Sequence, residues 1–228
     1  MACRSESERR TLVKVLVAGA SGQTASHLVG MLVEDGHEVR GLVRKEEQLS
    51  SVEEMAAEPA LVDLEEEEVE GGVGEAVEGC DAIVFAAGAG PGSGAERKET
   101  MDYGGAVKLI EAAEKHGVHR YLMLSAMGAE DPESREEAMQ PYLFAKARAD
   151  ERLMKSDLDY TIIRPGSLTN EEGTGRIEAA ESLGHRGEIP RDDVARTFAA
   201  ALEAESTYRK KFEILAGDTP IPEALKQL

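Results

Sequence analysis

A phenol and an ammonium stand four residues apart in 141-PYLFAKARADERL-153, as Tyr142 and Lys146. On a helix, residues four apart share one face, one turn from each other. A free phenol titrates near pH 10, too high to act as a base in neutral solution. A neighbouring ammonium favours the phenolate and draws that value down. Such a pair can give a proton to a carbonyl oxygen or take one from an alcohol. Ser125 ends the apolar run 119-HRYLMLS-125. Its hydroxyl could hydrogen-bond the same substrate oxygen and share the charge that develops there. The Tyr–Lys spacing also arises in any helix that carries a half-buried tyrosine beside a surface lysine, so the pair acquires meaning only from its surroundings.

Those surroundings begin with a turn. The first apolar run, 12-LVKVLVA-18, leads directly into 19-GASGQTA-25, and a helix-length segment follows. Gly19 permits the tight turn, Gly22 lets the backbone approach a pyrophosphate, and the small Ala25 lets the helix pack close to the strand. The amino terminus of that helix offers free N–H groups and a positive dipole end. Ser21, Gln23 and Thr24 lie where side chains or amides could add hydrogen bonds. A binder of NAD usually carries Asp or Glu about twenty residues further on, against the ribose 2′-hydroxyl. This chain has 42-LVRKEE-47 there, so Arg44 and Lys45 come first. A guanidinium at that point suits the 2′-phosphate of NADP rather than NAD. Asp63 and Leu64, after the third strand, can face the adenine edge. Ala86, Ala87 and Gly88, after the fourth, are small enough to let a dinucleotide pass.

The elements that must position these residues alternate. Strand-like runs occur at 12–18, 38–43, 60–64, 81–87, 119–125 and 159–165. Between them lie segments with apolar residues at three- and four-residue spacing, such as 23-QTASHLVGMLVEDG-36 and 105-GAVKLIEAAEKHG-117, each ended by a glycine. Strands that are apolar throughout and separated by helices predict an α/β fold, a doubly wound, mostly parallel sheet of Rossmann type. The chain reads as one domain: a core over about 11–166 and a small substrate lobe over about 167–228. In the latter, 170–187 is polar and loop-like with a short strand or two, 190–205 is a helix with Pro190 in its first turn, 211–217 is a strand, and 220–228 is a terminal helix. The glycine-rich 88-GAGPGSGA-95 reads as a mobile loop.

Composition sets the outer limits. The formal net charge of −19 argues against nucleic acid, because phosphate neutralisation needs clustered Lys and Arg. The acid, densest at 65-EEEE-68, reads either as a solvated surface or as adaptation to high salt. No apolar stretch is long enough to cross a membrane, and 1-MACRSESERR-10 does not read as a secretory signal, so a cytoplasmic protein is expected. Cys3 and Cys80 are far apart and form no metal-ligand pair. His27, His37, His116, His119 and His185 are scattered, so no metal site is expected. The oligomeric state is not legible.

The ordered set of 19-GASG-22, Ser125, Tyr142-x-x-x-Lys146 and 164-RPG-166 resembles the short-chain dehydrogenase/reductase superfamily over essentially the whole chain. It looks most like the atypical branch of NAD-dependent epimerase/dehydratase-like proteins, as do 190-PRDDVA-195 and 216-AGDTPI-221. The resemblance implies an NADP-dependent oxidoreductase, or an epimerase that uses the nicotinamide transiently, acting on a small molecule. Catalysis would rest on Ser125, Tyr142 and Lys146. It further implies that Lys146 reaches the nicotinamide ribose and that Pro165 passes along the nicotinamide. Where most members carry an asparagine, 100-TMDYGGAVKLIEA-112 offers Asp102, which could tie down the lysine or a water. The same branch includes proteins that bind NADP(H) as redox sensors, and flavin or biliverdin reductases that work without the tyrosine.

Overall fold

The computed structural model describes residues 12–66, 72–90 and 92–228. Cys3, the polar start of the chain, Thr11, the second half of the 65–68 acidic run and Pro91 of the glycine-rich loop lie outside the described residues.

Strands and helices alternate through the first half: β1 (Lys14–Ala18), α1 (Gln23–Glu34), β2 (Glu38–Val43), α2 (Leu49–Glu53), β3 (Glu58–Leu61), α3 (Gly72–Val77) and β4 (Ala82–Phe85). A short helix α4 (Ala95–Arg97) then runs through a π-helical stretch (Lys98–Gly105) into α5 (Ala106–His116). Next come β5 (Arg120–Leu124), α6 (Gln140–Met154), β6 (Asp159–Pro165), β7 (Ser167–Thr169), β8 (Arg176–Ala180) and β9 (Glu188–Pro190). The chain closes with α7 (Arg191–Glu203), β10 (Lys210–Ala216), β11 (Thr219–Pro220) and α8 (Ile221–Lys226).

Nine strands form one sheet in the order β11-β8-β10-β6-β5-β4-β1-β2-β3, and β7 pairs with β9 in a small second sheet. The seven strands from β10 to β3 are parallel; β8 runs against β10, and β11 against β8. The expected Rossmann-like fold is the one observed. Residues 167–228 do not stand apart from the core: β10 extends the main sheet beside β6, and α7 packs on α1. The third strand ends at Leu61 rather than Leu64, because the Asp63 carboxylate accepts a hydrogen bond from the Glu65 amide at 2.9 Å and turns the chain.

Alternation along the strands places a core on each face. From β1, Val15 and Val17 join Leu28, Leu32 and Phe198 of α1 and α7, while Leu16 and Ala18 join Leu109, Ile110 and Leu153 of α5 and α6. The chain winds one way from β1 to β3 and the other way from β1 through β4. A crevice therefore opens at the carboxyl ends of β1 and β4, where ligands of such sheets bind.

Candidate active site

At that crevice lies a cavity of about 1010 Å³. Its floor is the turn after β1. Gly19 has φ of +79°, and a side chain there would bring a Cβ to 2.7 Å from the Ala87 Cα. The Gly19 and Ala20 amides bond the Leu42 carbonyl, which fixes the turn against β2. Gly22 caps α1 with extended backbone and no side-chain hydrogen bond, and the first turn holds no acid. The first intrahelical bond runs from the Ser26 amide to the Gly22 carbonyl, so the amides of residues 23–25 face the cavity without helical partners. This is the donor set that a diphosphate needs, with a positive dipole end behind it. Ser21 accepts a hydrogen bond from Gln48 at 2.7 Å, and both line the cavity together with Gln23 and Thr24.

Two guanidinium groups share one carboxylate at the β2–β3 end. Arg97 donates to Glu65 at 3.0 and 3.2 Å, whereas Arg44 stands 3.5 Å from it and stays partly exposed. Arg44, Arg97, Val62 and Leu64 line the cavity. Lys45 does not: its ammonium turns to Glu47 at 3.1 Å in solvent. Asp63 is also absent from the wall, since its carboxylate is spent on the turn after β3. Ala86, Ala87 and Gly88 form the passage between the two ends.

At the far end the α6 helix presents Tyr142, Lys146 and Asp150 at successive four-residue steps. Lys146 is 3% exposed; its ammonium donates to the Leu124 carbonyl at 2.9 Å and stands 3.4 Å from Asp102. Its distance to the Tyr142 ring centroid is 5.8 Å. Asp102, equally buried, projects from the π-helical stretch and accepts from the Ala89 amide at 3.1 Å. It fits because residue 88 is glycine: a Cβ there would lie 2.9 Å from its Oδ1. Burial raises the Tyr142 phenol above its ordinary value, helped by Asp102 and Asp150 and opposed by Lys146. The expected drop is therefore reversed, because desolvation and two carboxylates outweigh one ammonium. For Lys146, burial alone would lower the ammonium, but Tyr142, Asp102 and Asp150 hold its proton more firmly than usual.

Ser125 departs from expectation. It is buried, and its hydroxyl donates to Asp150 at 2.8 Å instead of entering the cavity wall. Arg164 binds the same Asp150 oxygen through two nitrogens, at 2.9 and 2.8 Å, and also faces Glu130 at 3.5 Å. Burial lifts the Asp150 carboxyl above its usual range, with Arg164 and Ser125 opposing the shift. Pro165 ends β6 inside the core and does not line the cavity either. Sequence reasoning passed over Gln48, Arg97, Lys98, Met139, Leu168 and Arg191, all on the wall. Gln48, Arg97, Lys98 and Met139 lie in the connections that follow the carboxyl ends of β2, β4 and β5, which was the available signal. Among the described residues no group of three or more potential metal ligands occurs, and no helix is long and apolar enough to cross a membrane.

The profile of the NAD(P)H-binding family matches residues 19–205, which span this entire crevice. The chain belongs to the NAD(P)H-binding family. The atypical short-chain dehydrogenase/reductase branch fits its relatives within that family. A Bacillus subtilis relative named "Uncharacterized sugar epimerase YhfK" is 46% identical over 217 residues, covering 95% of this chain and all of the relative. Sanguinarine reductase of Eschscholzia californica is 30% identical over 251 residues, covering 93% of this chain and 92% of that enzyme. A solved Bacillus halodurans structure, described only provisionally as an NAD-dependent epimerase/dehydratase, superposes with a TM-score of 0.89. It is 41% identical and covers 95% of this chain and all of its own. These NAD(P)H-binding proteins include oxidoreductase-like and epimerase-like members.

Proposed function

We propose that this chain is an NADP(H)-dependent reductase of small carbonyl compounds, with Tyr142 as the proton donor. The observation that carries this reading is the shared cavity: the glycine turn and Tyr142 line one continuous space. The amides of residues 23–25, with Ser21, Gln48 and the Gly19–Gly22 turn, would hold the diphosphate. Arg44 and Arg97 would hold the 2′-phosphate, which favours NADP over NAD. When bound, the dinucleotide supplies the hydride. This chain's own residues then manage the proton: Tyr142 Oη gives it to the carbonyl oxygen, and the Lys146 ammonium stabilises the phenolate left behind. Asp102 and the Leu124 carbonyl hold Lys146 in place. Burial keeps the resting phenol protonated, the form from which reduction of a carbonyl starts. Ser125 serves as a support for Asp150 rather than as a substrate ligand.

The test supplies NADPH with a panel of aldehydes, ketones and quinones and follows the nicotinamide absorbance. The expected outcome is turnover that falls roughly 10²- to 10⁴-fold in Tyr142→Phe, the range for loss of a general acid. Tight NADPH binding without turnover of any compound would leave a sensor instead. Flavin reduction that survives Tyr142→Phe would mean hydride transfer without the tyrosine.

A further inference from the structure

The charge of the cavity is opposite to that of the molecule. The chain carries 45 acids against 26 lysines and arginines. Among the described residues the cavity wall nevertheless presents five cations, Arg44, Arg97, Lys98, Lys146 and Arg191, and a single carboxylate, Asp102. Asp102 is matched to Lys146, and Glu65 behind the wall serves Arg44 and Arg97. Lys98 is left with neutral partners: the Ser93 hydroxyl at 3.2 Å and the Gly90 carbonyl at 3.4 Å. This is not for want of acids nearby. Glu99, its neighbour in sequence, pairs outward with Arg148. The Lys98 ammonium lies 5.1 Å from the Tyr142 ring centroid, so a cation without a counter-ion among the described residues stands beside the phenol.

We propose that the substrate reduced at Tyr142 is an organic anion, whose carboxylate or phosphate is bound by Lys98. This deepens the reductase reading and rests on it for the carbonyl end of the substrate. A half-buried ammonium held by two neutral oxygens and an aromatic face is ready to exchange one of those oxygens for an anionic one, which gives a shorter and stronger charge-assisted bond. Asp102 is turned to the Ala89 amide and Lys146 instead. Arg191, bonded to the Leu168 carbonyl and the Asn170 amide oxygen, adds positive potential along the same wall.

Binding to the NADP⁺-loaded protein tests the idea whether or not turnover is found. Two probes, benzaldehyde and 4-carboxybenzaldehyde, differ only in the anion, and their affinities are measured by calorimetry. The expected result is a preference of roughly tenfold for the carboxylate, about 1.4 kcal/mol. It should collapse in Lys98→Gln and largely return in Lys98→Arg, with NADPH affinity unchanged in both variants. Equal binding of the two probes, or a preference that survives Lys98→Gln, would overturn the proposal. So would a loss of NADPH affinity in Lys98→Gln that matches the loss for the carboxylate probe, since Lys98 would then belong to the dinucleotide's phosphates. Selective binding together with no turnover across the whole carbonyl panel would reject the reductase reading and leave the anion site standing.

Discussion

In the proposed reaction Tyr142 and Lys146 manage the proton, and Arg44 sets the cofactor preference. The Tyr142 phenol and the Lys146 ammonium both hold their protons more firmly than free side chains do. A group whose folded pKa is raised keeps its proton at and below its ordinary value and gives it up only at higher pH. Reduction should therefore run on a flat plateau through neutral pH and decline only beyond about pH 10, the free phenol value. A rate profile that already falls between about pH 7 and 8 would mean that the phenolate forms readily. At the other end, Arg44→Ala removes one guanidinium from the proposed 2′-phosphate position. Charge-assisted bonds contribute about 1.5–3 kcal/mol, so NADPH should weaken roughly 10- to 100-fold and NADH hardly at all. Fluorescence titration with both nucleotides reads the difference, and equal losses would remove Arg44 from that role. The Tyr142–Lys146 pair and the glycine turn were legible because short-range spacing specifies them. The direction of the Ser125 hydroxyl was not: it is decided by Asp150, 25 residues further along, and by Arg164 on the neighbouring strand.

Elements hold these residues still, and one buried cation ties two of them together. Arg120 of β5 donates to the Ala201 and Leu202 carbonyls near the end of α7, to the Asp159 carbonyl and to the Thr161 and Thr207 hydroxyls. Its guanidinium also stacks 4.3 Å from the Tyr208 ring centroid. Burial lowers its pKa to about 10, offset in part by Tyr208 and Asp159. Arg120→Ala would strand several buried oxygens at once. Each unsatisfied buried group costs about 1–3 kcal/mol, so a loss of roughly 3 kcal/mol or more is expected in urea unfolding, with secondary structure retained in the folded fraction. A change under about 0.5 kcal/mol would show that water replaces the guanidinium freely. The alternation of β1 to β6 with helices was readable from apolar periodicity. The π-helical stretch that aims Asp102 inward was not, because one added residue in a turn leaves no mark in a three- to four-residue pattern. The β7–β9 pair also escaped notice, being only three residues on each strand.

For the whole molecule, the cavity is the place where a strongly acidic protein turns positive. A ligand that binds only the folded state stabilises it by about 2.7 kcal/mol at a hundred times its Kd. For a chain of this size that corresponds to a rise in Tm of roughly 5–11 °C. NADPH at that excess should produce such a rise in calorimetry, and NADH at the same concentration a smaller one. No shift with any nicotinamide nucleotide would remove the diphosphate seat and the roles that depend on it.

The contact between position 19 and Ala87 has a bearing on recombination. The missing methyl at Gly19, set against the small Ala87, lets the first βαβ unit nest against the unit that begins at β4. Halves exchanged between relatives would mate only if both junction residues stayed small. Chimaeras that enlarge either one should emerge insoluble, even where every strand and helix is kept.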